Sequence, residues 1–142
     1  MAVRSSRAEW HGDLKGGNGE FEVGDGVFTG AYTFASRFEE GDGTNPEELL
    51  AAAHAACFSM SLANMLAQAG SPADSVRTEA KAHLEPVDGK PTIHTIELIT
   101  RAKVPGIDQD TLLEHAENAK AGCPVSRLFE GAEITLDAQL ES

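Results

Sequence analysis

At 142 residues the chain is long enough for one domain that buries about two thirds of its unfolded surface. Its hydrophobic content of 41% and charged content of 24% are those of a globular protein. The formal net charge of -12 excludes sequence-independent nucleic-acid binding and docking on anionic membranes. Aromatic residues make up only 6%, so the core falls to aliphatic side chains and alanine.

The opening MAVRSSRAEW lacks the apolar stretch of a signal peptide, and no apolar run reads as membrane-spanning, so a cytoplasmic protein is expected. The glycine-rich first forty residues contain three short strand-like pieces at 7–11, 19–23 and 27–34, with Asp25-Gly26 as a tight hairpin turn between the last two. The pattern then changes. Asn45 is an N-cap residue, Pro46 suits the first helical position, and Glu48 completes a capping-box-like arrangement. A helix is expected over 46–69, stopped by Gly70-Ser71-Pro72. It is apolar nearly all round, through Leu49, Leu50, Ala53, Ala56, Met60, Leu62, Ala63 and Leu66. Such a helix is buried on most sides, inside a large sheet or against a partner chain.

Residues 76–85 and 92–104 alternate apolar and polar positions on either side of Asp88-Gly89, the pattern of an antiparallel hairpin with one covered face. Asp108 can cap a helix running to Gly122, Pro124 permits a short helical turn to Phe129, and residues 134–140 alternate as a last strand. The order strands, long helix, hairpin, helix, strand reads as α+β, mainly antiparallel, with segregated layers. No repeat or linker divides it, so residues 1–142 read as a single domain.

Two cysteines, Cys57 and Cys123, are the groups with most chemical potential. In a reducing compartment such a pair is rarely a permanent staple. Cys123, in Gly122-Cys123-Pro124, sits where one helix ends and a turn begins, with Arg127 one turn on. Both features favour a thiolate. Cys57 lies deep in an apolar helix, where an isolated thiol has a raised pKa and is inert. Local physics therefore ranks Cys123 as the reactive thiol. His54, three residues before Cys57, could share a metal with it, Cys123 and His115, but no C-x-x-C or H-x-x-x-H spacing supports a metal. His11, His83 and His94 read as surface or edge residues. No P-loop, nucleotide-binding glycine fingerprint or Ser-His-Asp constellation is present.

Ser36-Arg37-Phe38-Glu39, then GTNPEELLAAAHAACFSMSL over 43–62, then AGCPVS over 121–126, closely resemble the OsmC/Ohr family. The similarity covers nearly the whole chain, including VPGID at 104–108 and AEITLDAQL at 132–140. Within the family the chain is similar to the OsmC branch, since an arginine stands at Arg37. The Ohr branch takes its arginine from near the N-terminus, where this chain offers only Lys15. The resemblance implies an OsmC-like fold with antiparallel sheets around a long central helix, in an intertwined homodimer. It also implies a thiol peroxidase that reduces organic hydroperoxides in oxidative or osmotic stress defence. By motif, Cys57 matches the peroxidatic cysteine and Cys123 the resolving one. Arg37 and Glu47 match the arginine–carboxylate pair that activates the thiol, and Glu48 matches the capping position. This reverses the local ranking of the two thiols. No bound cofactor is implied; the Cys57–Cys123 disulfide would be reopened by an external dithiol, for which the family points to a dihydrolipoyl group.

Glu47 and Cys57 are ten residues apart, about 15 Å along one straight helix, and cannot meet unless the helix is interrupted or the site belongs to two chains. A homodimer with shared active sites is therefore expected. Phe58 and Met60 are expected to line the substrate pocket. The alternative is a non-enzymatic small-ligand or metal-binding protein on the same fold.

Overall fold

The glycine-rich first forty residues fold, in the computed structural model describing residues 1–142, into an antiparallel meander of β1 (Ser6–His11), β2 (Asn18–Val23) and β3 (Phe28–Tyr32). Gly19 pairs with Trp10 on one side and Tyr32 on the other, and a Cβ there would meet both rings at under 3 Å. Glycine is thus what lets the two rings approach to 5.4 Å between centroids. The third strand is shorter than its sequence pattern suggests. Thr33 caps a one-turn helix, α1 (Phe34–Phe38), through a capping box in which Thr33 Oγ1 accepts from the Ser36 N–H and Ser36 Oγ accepts from the Thr33 N–H. These elements and the first turn of the long helix form one compact unit, Met1–Leu49.

The long helix α2 spans Pro46–Gln68. Asn45 caps it by accepting from the Glu48 N–H at 2.8 Å, as the sequence suggests. Glu48 does not close a capping box; its carboxylate accepts from the Thr44 hydroxyl instead. By length and composition α2 is apolar enough to cross a membrane, which the sequence reading did not anticipate. Its burial has the period of a core helix: His54, Phe58, Leu62 and Leu66 are sealed at four-residue intervals.

That stripe belongs to the second compact unit, Leu50–Ser142. There β4 (Ser75–Val87) and β5 (Lys90–Lys103) form the expected antiparallel hairpin around Asp88-Gly89, both residues at positive φ as a two-residue turn requires. Asp108 caps α3 (Gln109–Gly122), and α4 (Pro124–Leu128) and β6 (Glu133–Glu141) complete the chain. Three of the four strand pairings are antiparallel, and β6 departs by lying parallel to β5. The two helices between β5 and β6 carry the chain back, which a parallel neighbour requires and a tight turn cannot supply. The core packs Phe58, Leu62 and Leu66 against Ile96, Leu98 and Ala102 of β5 and Leu112, Ala116 and Ala119 of α3. Leu62→Ala should cost about 3 kcal/mol of stability, read as a lowered urea midpoint with an unchanged slope.

Candidate active site

Arg37 and Glu47 meet as a directed ion pair. The guanidinium Nε donates to both carboxylate oxygens at 3.0 and 3.2 Å, and Nη2 donates to Oε1 at 2.6 Å. The Glu47 side chain is 10% exposed and that of Arg37 35%, so the carboxylate is the sealed partner and the guanidinium keeps an open side. Arg37 sits in α1 and Glu47 in the first turn of α2, and hydrogen bonds hold those two elements together. Ser36 Oγ donates to the Thr44 carbonyl at 2.7 Å, and Asn45 Nδ2 donates to the Ser36 carbonyl at 2.9 Å.

Beside the pair lies a groove of about 420 Å³, lined by Trp10, Leu14, Tyr32, Phe34, Phe38 and Arg37 among others. The Arg37 guanidinium also lies over the Phe38 ring, 5.2 Å from its centroid. An apolar wall that ends on a cation is suited to a molecule with a hydrocarbon body and one oxygen-bearing end.

In the second unit Cys57 and Cys123 are neighbours, and both are free thiols. Cys57 is half-buried on α2; Cys123 is fully buried between α3 and α4. Burial pushes the Cys57 thiol above its ordinary value. The Val125 backbone N–H pulls it down, and the adjacent Cys123 side chain pushes it further up. Cys123 is the N-cap of α4, and its sulfur accepts from the Ser126 N–H at 3.4 Å, the helix-start donor expected from the sequence. The expected help from Arg127 is not visible, since that residue is exposed while the Cys123 side chain is sealed.

Other sequence expectations need correction. Phe58 does not line a pocket; one position beyond Cys57 it turns into the core and is 0% exposed. Met60, by contrast, stands exposed on the same side of α2 as Ala56. His54, weighed in the sequence as a metal ligand and not favoured as one, has its Nε2 2.7 Å from Ser126 Oγ, and nowhere do three His, Cys, Asp or Glu side chains gather. The groove aromatics Trp10, Phe34 and Phe38 were not recognised as a wall. The signal was present in Phe34 and Phe38, which at spacing i, i+4 stack only if the segment is helical.

A sequence profile described as OsmC-like protein matches residues 39–138. Peroxiredoxin OsmC of Escherichia coli strain K12 is 48% identical over 140 residues, covering 98% of this chain and 97% of that protein. The chain belongs to the OsmC family. Solved structures agree on the OsmC-like fold. An OsmC-like protein of unknown function from Vibrio cholerae superposes with a TM-score of 0.77 at 16% identity, covering 97% of this chain and 99% of that one. The organic hydroperoxide resistance protein OhrB of Bacillus subtilis superposes with a TM-score of 0.71 at 23% identity, covering 99% and 100%.

Ser36 is the pin that fixes Arg37 relative to Glu47, being 7% exposed with its hydroxyl tied to Thr33 and Thr44. Ser36→Ala should therefore lower stability by about 1–2 kcal/mol in denaturant unfolding, because it orphans the Thr44 carbonyl and removes half of the capping box.

Proposed function

We propose that this OsmC-family thiol peroxidase reduces organic hydroperoxides to alcohols with Cys57 as the attacking thiol and Cys123 as the resolving one. Two reduced thiols side by side, one reachable and one sealed, carry this conclusion. The Cys57 thiolate attacks the terminal peroxide oxygen, the O–O bond breaks, the alkoxide takes a proton and leaves as an alcohol, and Cys57 becomes a sulfenic acid. Cys123 condenses with it to a disulfide and water leaves. An external dithiol, for which the family points to a dihydrolipoyl group, reopens the disulfide. Sealing of Cys123 favours this division of labour, since peroxide reaches only the half-buried thiol.

Cys57 needs a cation, and Arg37 is the one that the family resemblance assigns. A guanidinium favours the thiolate and offers fork donors to the leaving oxygen, while Glu47 holds it in place. Because α2 is unbroken, the ten residues between Glu47 and Cys57 span about 15 Å. Arg37 and Glu47 of one subunit therefore serve Cys57 of the other in a homodimer. The exposed Ala52, Ala53, Ala56 and Met60 on α2 support this, as an apolar face that a second chain would cover. The family match runs from the first unit into the second, which supports one OsmC-like domain over 1–142. The aromatic groove beside Arg37 would favour bulky organic hydroperoxides over H₂O₂. A cytoplasmic role in oxidative or osmotic stress defence fits this chemistry.

With cumene hydroperoxide and dihydrolipoamide, Cys57→Ser should abolish turnover, while Cys123→Ser should consume one equivalent of peroxide and then stop. Turnover by the Cys57→Ser protein would overturn the assignment. Mixing Cys57→Ser chains with Arg37→Ala chains should restore roughly a quarter of wild-type activity, since half of randomly formed dimers are mixed and each mixed dimer has one complete site. A mixture no more active than its parts would exclude shared sites.

A further inference from the structure

The proposed cycle leaves a buried hydrogen-bonded chain without a task. Ser126 Oγ lies 3.1 Å from the Cys123 sulfur and 2.7 Å from His54 Nε2. Cys123, Ser126 and His54 are 0%, 3% and 0% exposed. His54 comes from α2 and Ser126 from α4, 72 positions later, so helix geometry alone does not produce the contact. Packing does not explain it either. His54 Nδ1 is buried with no hydrogen-bond partner, a cost that an apolar side chain of similar size would avoid.

The hydrogens of the reduced state can be assigned by supply and demand. The sealed Cys123 thiol needs an acceptor, and the Ser126 oxygen is a stronger one than the neighbouring Cys57 sulfur. Ser126 then needs an acceptor for its own hydrogen, and His54 Nε2 stands in line for it. Burial holds the imidazole below its ordinary pKa, so it is neutral at pH 7 with Nε2 free to accept. The ring is held edge-to-face against Phe129, centroids 5.5 Å apart.

We propose that Ser126 is a catalytic residue and His54 a positioning residue for disulfide formation, together taking up the Cys123 proton as its sulfur attacks the Cys57 sulfenic acid. This rests on the assignment of Cys57 and Cys123 above. The Cys123 electron pair forms the S–S bond, the Cys57 S–O bond breaks, and hydroxide leaves with that bond's electrons. The Cys123 proton passes to Ser126 Oγ as the Ser126 proton passes to Nε2. Hydroxide takes a proton from solvent, and the imidazolium later returns one. The sum is thiol plus sulfenic acid to disulfide plus water, with no outside oxidant.

Rapid-quench single turnovers with one equivalent of cumene hydroperoxide test this, with sulfenic acid and disulfide followed separately by mass. Ser126→Ala and His54→Phe should leave sulfenic acid formation unchanged and slow disulfide formation by about a hundredfold. In excess peroxide both should accumulate Cys57 sulfinic acid, and Ser126→Thr, which keeps the hydroxyl, should restore the disulfide step. Should His54→Phe fail to fold, Ser126→Ala alone decides. Disulfide formation at the wild-type rate in Ser126→Ala, or both steps slowing together, would overturn the relay and leave the thiol assignment standing. A wild-type protein that forms sulfenic acid but never the disulfide would overturn both.

Discussion

Burial makes a thiol hold its proton, and Cys57 is buried on one side. Burial and the adjacent Cys123 both disfavour its thiolate, and the Val125 N–H alone opposes them. A peroxidase nucleophile at that position makes chemical sense only with a cation brought from elsewhere. Arg37 has the right form for this: one side is clamped by a sealed carboxylate and the other is open, so its donors are aimed before any substrate arrives. The remaining elements of the proposal follow from that need, including the second chain and the cover it would give to the exposed face of α2.

The two thiols differ in access more than in kind. Cys57 is half-buried and Cys123 fully so, and oxidation follows access as well as thiolate character. A sealed resolving thiol is protected from peroxide, but it also has no water to take its proton. Ser126 and His54 supply inside the core what solvent would supply at the surface.

Local signals carried most of the fold. Asn45 and Asp108 cap the helices they were expected to cap, and Asp88-Gly89 turns the hairpin where two positive-φ residues are needed. The five-residue α1 was hidden because it is too short for a 3.6-residue period to show, and its first residue, Phe34, read as the end of a strand. The direction of β6 was equally hidden, since apolar alternation is the same in parallel and antiparallel strands. For the site, the motif pointed to Arg37, Glu47, Cys57 and Cys123, whereas local physics had preferred Cys123 as nucleophile. That preference rested on a helix-start N–H, which Ser126 supplies, and on Arg127, which is exposed while the Cys123 side chain is sealed. The His54–Ser126 contact joins positions 72 residues apart and had no local signature.

The placement of Cys57 on α2 is a narrow solution. The sealed stripe runs through His54, Phe58, Leu62 and Leu66, while Ala56 and Met60 are exposed. One residue later, the thiol would be sealed like Phe58 and beyond the reach of a peroxide. One residue earlier it would stand with Ala56 in the open, turned away from Cys123. At 57 it lies on the border between core and exposed face, where one sulfur can meet a peroxide on one side and Cys123 on the other. The same border explains why His54, one turn back on the sealed stripe, is the side chain of α2 that reaches Ser126 and through it the second thiol.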